Sequence, residues 1–176
     1  MEIFITDLNK IINRRDFISA ALLKLGHDDL KRFQKIKDEM HALQFLVGRM
    51  LVFEVFGGDF ETLETGKVIS KKAYLSLAHS NNFVVLATDE EPVGVDIEKI
   101  DEQRDFKAVA RRMKFENCEN ATDFCKKWTA YEADFKLGNE FENPFHRFFE
   151  YKGFIICISS LKNMQCNITL RQNLPF

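Results

Sequence analysis

Apolar side chains fall at Phe33, Ile36, Met40, Leu43, Val47 and Met50. That three-four spacing fits a helix with one stripe on a core and does not fit a strand. Asp28 or Asp29 stands where a cap would open it, and Lys31, Arg32, Lys35 and Lys37 crowd its first turns. Such a charge run is the ordinary look of a solvated face, although it could also grip a phosphate. Around this helix the chain changes period. Residues 1–7 alternate through Ile3 and Ile5 as an opening strand, and residues 17–25 read as a helix ended by Gly26. Residues 74–77 and 83–87 read as strands around a turn at His79-Ser80-Asn81-Asn82, and residues 93–97 as another strand. Residues 106–113 form a basic amphipathic helix, 121–137 a helix stopped by Gly138, and 154–160 and 165–170 closing strands. Strand, helices and strands thus occur twice, which predicts an α+β fold of two lobes, residues 1–88 and 89–176.

A chain of 176 residues can bury roughly 70% of its unfolded surface, enough for a sizeable core. Lys and Arg number 25 against 27 Asp and Glu, so no surplus of positive charge points to nucleic acid as a partner. Cys118, Cys125, Cys157 and Cys166 form no Cys-x-x-Cys pair and the four histidines are not at ligand spacing, which predicts reduced, packed thiols. No run approaches the ~18 apolar residues a membrane span needs, and a cytoplasmic location is expected. Phenylalanine is frequent, at 18, and the cluster at residues 141–149 fits either a core or a sticky edge.

The chemistry concentrates in two segments. In Val93-Gly-Val-Asp-Ile-Glu98, Asp96 and Glu98 are two apart in a β-branched run, so a strand sends both carboxylates from one face, ~7 Å apart. In Trp128-Thr-Ala-Tyr-Glu-Ala-Asp-Phe-Lys136, Glu132 and Lys136 are four apart and share a helical face. Each pair has a plain account: the wet face of an amphipathic strand, or an exposed helical ion pair worth ~0.3 kcal/mol. Taken jointly, three carboxylates and a positioned ammonium describe a phosphoryl-transfer site around a hard cation.

Those two segments resemble the metal-binding strand and the tryptophan-to-lysine helix of the 4'-phosphopantetheinyl transferases, in the longer class with two pseudo-symmetric lobes in one chain. Further matches lie upstream in the expected order. Leu75-Ser-Leu-Ala-His-Ser80 is similar to the family's turn whose histidine contacts coenzyme A phosphate, Gly66-Lys67 to its nucleotide loop, and residues 45–51, with Arg49, to an arginine-bearing helix. The resemblance spans residues 45–136, about half the chain. It implies transfer of the 4'-phosphopantetheine group from coenzyme A to a serine of an apo acyl carrier protein or carrier domain, releasing 3',5'-ADP. It further implies Mg²⁺ held by Asp96, Glu98 and Glu132, catalysis by Glu132 and Lys136, and coenzyme contacts from Arg49, Lys67, His79 and Ser80. A monomer is expected, because the interface between the lobes is internal. Tyr131 stands where the family usually has a lysine, Val68 where it has proline, Ala78 where it has serine, and Gln44 where a basic residue is common. These departures open an alternative: a family member with weakened chemistry that serves as a carrier-protein or coenzyme A binding module. Arg111, Arg112 and Lys114 beside Met113 and Phe115 suit an acidic helical partner, or equally an amphipathic helix over the core.

Overall fold

The computed structural model describes residues 1–11, 14–138, 140–163 and 165–171. Residues 172–176, at the end of the expected second lobe, lie outside them. Strand β1 (Glu2–Asp7) runs through a 3-10 turn (Leu8–Lys10) into helices α1 (Arg14–Lys24), α2 (His27–Phe33) and α3 (Glu39–Phe56). Strands β2 (Phe60–Thr62), β3 (Val68–Ser70), β4 (Tyr74–Ser80), β5 (Phe83–Asp89) and β6 (Val93–Lys99) follow. Then come α4 (Phe106–Met113), α5 (Ala121–Leu137), β7 (Phe145–Tyr151), β8 (Phe154–Ser160) and β9 (Asn167–Arg171). The fold is mixed α+β.

Two sheets carry the architecture, one ordered β4-β5-β1-β9 and one ordered β6-β8-β7, beside the small hairpin β2-β3. The period-two rule assigns their faces. Val84 and Leu86 of β5 and Phe4 of β1 pack with Leu46, Val47, Met50 and Leu51 of α3. The intervening residues Phe83, Val85, Ala87, Ile3 and Ile5 meet Val93, Val95 and Ile97 of β6 and Ile156 and Ile158 of β8. The sheets are therefore packed against each other, with α1–α3 outside one and α5 outside the other. They approach where Val95 N–H donates to Ser76 Oγ of β4 at 3.0 Å. The last strand, β9, runs parallel to β1 and so completes the first sheet from the far end of the chain.

Two sequence expectations change, and one left open is decided. The long helix through Met50 is two helices: Lys35 and Ile36 donate three residues back, to Arg32 and Phe33 carbonyls at 3.0 Å each, and tighten the chain out of the α pattern. Asp38 then starts α3 afresh by accepting His41 N–H at 2.8 Å. Asp29, expected as a cap, is instead buried against Arg49, and Met40 stands 36% exposed, off the stripe. The β4-β5 turn is only Asn81-Asn82, with Asn81 at φ 49°, so His79 and Ser80 are strand residues paired with Val84 and Phe83. The phenylalanine cluster becomes the edge strand β7, which leaves Phe145 and Phe148 exposed and turns Phe149 toward the core. Among the described residues no helix is long and apolar enough to cross a membrane. Cys125 and Cys157 are buried, and none of the four cysteines is in a disulfide.

Helix α5 lies directly on β6. A Cβ added at Gly94 would enter the van der Waals radius of the Ala133 carbonyl oxygen and come within 2.8 Å of Leu137 N. The glycine of the Val93–Glu98 segment thus has a packing reason, independent of chemistry. Gly94→Ala is expected to force the helix off the strand and lower stability by about 2–3 kcal/mol, read as a shift of the urea midpoint at unchanged slope.

Candidate functional site

Because Val93, Val95 and Ile97 point into the inter-sheet core, Gly94, Asp96 and Glu98 must point the other way, toward α5. Glycine at 94 lets α5 settle there, and the four-residue spacing within α5 then carries Glu132 and Lys136 to the same side. Lys136 Nζ donates to Asp96 Oδ1 at 2.7 Å and to the Val95 carbonyl at 3.1 Å. Asp96 is 7% exposed. Its burial pushes the carboxyl up to about 6; the Lys136 ammonium opposes this, and the negative charges of Glu98 and Glu132 add to it. Burial likewise raises Glu98, against the pull of Arg104 and the hydrogen-bonding Ser80 hydroxyl, with Glu132 again adding repulsion. The charges of Glu98 and Glu132 therefore act on Asp96, and that of Glu132 on Glu98.

What holds α5 in place lies partly outside the motif. Asp134 Oδ1 accepts from Ser159 Oγ of β8 at 2.6 Å and lies 2.7 Å from His146 Nε2 of β7. One carboxylate thus ties the helix to two strands, midway between Glu132 and Lys136. Sequence reasoning missed this clamp, because its members are far apart in the chain and only the sheet order brings them together. It also missed Arg104 beside Glu98.

The hairpin β4-β5 serves two faces. Ser76 and Ala78 face the second sheet, so Ser80 does too and reaches Glu98, whereas His79 turns to the side of Leu75 and Leu77, which packs toward α3. There a cleft of about 830 Å³ opens between α3, β4, the β2-β3 loop and the end of α5. Arg49, Lys67, His79 and Lys136 line it, together with Arg32 of the charge run, Gln44, and His41 and Phe135, which the sequence did not single out. Lys136 borders both the cleft and the carboxylates.

The cleft is cationic and preorganised. Arg32 Nη2 donates to the carbonyls of Leu63 and Glu64 at 2.7 and 2.6 Å. Arg49, 6% exposed, donates Nε to Asp29 Oδ2 at 2.9 Å and Nη2 to the Gly66 carbonyl at 3.3 Å, with its guanidinium over the Phe45 ring. Two arginines thereby fix the loop that presents Lys67. His79 is held below the usual imidazole range by the surrounding protein, then by the charges of Lys136 and His41, so it is neutral at pH 7 and can donate or accept a single proton. Gln44 donates Nε2 to the Asn81 carbonyl at 2.7 Å, which leaves its buried Oε1 without a partner in the cleft wall. Of the charge run at residues 31–37, Arg32 alone lines the cleft. Tyr131 does not line it: its ring packs with Phe115 and Trp128, 48% exposed, on another side of α5. Trp128 stacks on Phe124, an anchor for packing.

Among the described residues, no three His, Cys, Asp or Glu side chains stand ready-made as a metal-ligating group; the ammonium of Lys136 is what meets Asp96. The donor set nonetheless suits a hard divalent ion, since it is carboxylate oxygen throughout and carries mutual repulsion that such an ion would relieve. Comparison of the chain with models of known protein families finds no match, and a search of curated proteins finds none either.

The raised carboxyl of Asp96 makes a stability prediction. Between about pH 4 and 6 the folded state holds a proton on Asp96 that the unfolded chain has released, so stability falls as pH rises through this window. Asp96→Asn should remove that fall and gain on the order of 2–3 kcal/mol over the native chain at pH 7 relative to pH 4, measured by urea unfolding in chelator.

Proposed function

We propose that this protein transfers the 4'-phosphopantetheine group of coenzyme A to a serine of an apo acyl carrier protein or carrier domain, as a member of the two-lobed 4'-phosphopantetheinyl transferases. The observation that carries the reading is Lys136, which meets Asp96 at 2.7 Å and lines a cationic cleft, with the charges of Glu98 and Glu132 acting on the same Asp96 carboxyl. A diphosphate lying in that cleft would have its phosphates beside Lys136 and its nucleotide end toward Lys67 and Arg49. An 830 Å³ cleft is within the range of cofactor sites. The pairing of α3 with the β4-β5-β1 face and of α5 with β6 and β8 agrees with two related lobes.

In this reaction the serine oxygen bonds to the pantetheine-side phosphorus, and the bond from that phosphorus to the bridging oxygen breaks to release 3',5'-ADP. The obstacle is negative charge on the diphosphate and on the leaving phosphate. Asp96, Glu98 and Glu132 would hold Mg²⁺, which when bound supplies neutralising charge to both. Lys136 adds a cation at the phosphate. Glu132 accepts the serine proton, directly or through water. His79, neutral and on the cleft side of β4, donates a hydrogen bond to a phosphate oxygen. Ser80 and Arg104 steady Glu98 from the side.

The test is the intact mass of an apo acyl carrier protein after incubation with this protein, coenzyme A and Mg²⁺. A gain of one phosphopantetheine that a chelator abolishes, and that Asp96→Ala loses while its circular dichroism is unchanged, is the expected outcome. No gain across several carrier proteins, with coenzyme A still bound, would replace the transferase by the binding module.

A further inference from the structure

The cation that meets Asp96 in this structure belongs to the chain itself. We infer that Lys136 is a resident counter-ion, which occupies the Asp96 carboxylate until diphosphate oxygens draw its ammonium into the cleft, so that a divalent ion and the diphosphate bind as a coupled pair. The inference rests on the transferase reading and adds the order in which its site is assembled.

Geometry supplies the first support. Two of the three ammonium donors are spent on β6, one on Asp96 Oδ1 and one on the Val95 carbonyl. Asp96 is 11% exposed at its side chain and Lys136 29%, so the carboxylate is enclosed while the lysine keeps one side toward the cleft that it lines. A four-carbon stem with free rotors can swing its head between those two neighbours; an arginine fork could not do so as freely. Charge supplies the second. An ion entering alone would evict the ammonium from a buried partner and push it among His79, Arg49 and Lys67, where the Asp29 carboxylate is already engaged by Arg49 and Thr62. Removing one member of an enclosed pair is costly. With a diphosphate in the cleft the ammonium exchanges one anion for another, and the ion takes the vacated carboxylate oxygen. Linkage then requires the diphosphate to tighten the ion by the factor with which the ion tightens the diphosphate.

The experiment titrates the metal-free, full-length protein with Mn²⁺ and reads the electron paramagnetic resonance signal of the free ion. Coenzyme A is present or absent, no carrier protein is added, and a protein-free control corrects for ion held by the coenzyme. The wild-type chain should bind Mn²⁺ about tenfold more tightly with coenzyme A than without. Lys136→Gln should bind Mn²⁺ alone about tenfold more tightly than wild type, and coenzyme A should then add less than about threefold. A wild-type gain below about threefold overturns the inference whatever the variant does, and leaves the transferase standing if phosphopantetheine is still transferred. A Lys136→Gln chain that binds the ion no better than wild type overturns it as well. No Mn²⁺ binding by wild type under either condition would remove the carboxylate site, and with it both the inference and the metal-dependent reaction.

Discussion

Everything at the candidate site depends on one close approach, the backbone of α5 resting on β6 at Gly94. A helix packed on a sheet normally stands off by the length of the side chains between them. Here the absence of one Cβ brings the Ala133 turn onto the strand itself, and at no other glycine would an added Cβ come so close to neighbouring backbone. The acids of the strand and the Glu132 and Lys136 pair then come within reach without any long loop to position them. Precision follows from regular elements, since a strand fixes alternate faces and a helix fixes every fourth residue.

The energetic cost of that arrangement falls on Asp96. Its carboxyl is buried with two like charges beside it and a single ammonium against it, which is an unfavourable environment for a charge. Proteins tolerate such a group where the enclosing structure over-determines it. The clamp from Asp134 to Ser159 and His146, together with the glycine contact, does so here, anchoring α5 to three strands of one sheet. The cleft is built on the same plan: Arg32 and Arg49 spend their donors on backbone carbonyls of the β2-β3 loop, so its shape is set before any ligand arrives.

The parts legible in the sequence are those whose periodicity is decided locally. The run from Val93 alternates cleanly, and α5 carries its own signals in Asn120, which accepts Asp123 N–H, and Gly138 at its end. Both elements, and the acids on them, are found where the pattern puts them. The break between α2 and α3 escaped because the apolar spacing from Phe33 to Met50 continues across it by coincidence, while the deciding events are a tightened turn and the cap at Asp38. Strand β7 escaped because aromatic residues occupy both faces and mask the alternation. Strands β2 and β3 are three residues each, too short for any period to register. His41 and Arg104 belong to the site only through the tertiary arrangement of sheets and helices, and nothing in their neighbours announces it.

The hairpin β4-β5 shows how little separates this arrangement from its opposite. His79 and Ser80 are consecutive, one turned to the cleft and one to the acids. A slip of one residue between these strands would exchange them, placing the imidazole against Glu98 and a hydroxyl in the cleft. The two-residue turn at Asn81-Asn82, held by Gln44 and by the Asn82 carbonyl accepting Leu8 N–H, therefore sets the handedness of the chemistry as well as the closure of a sheet.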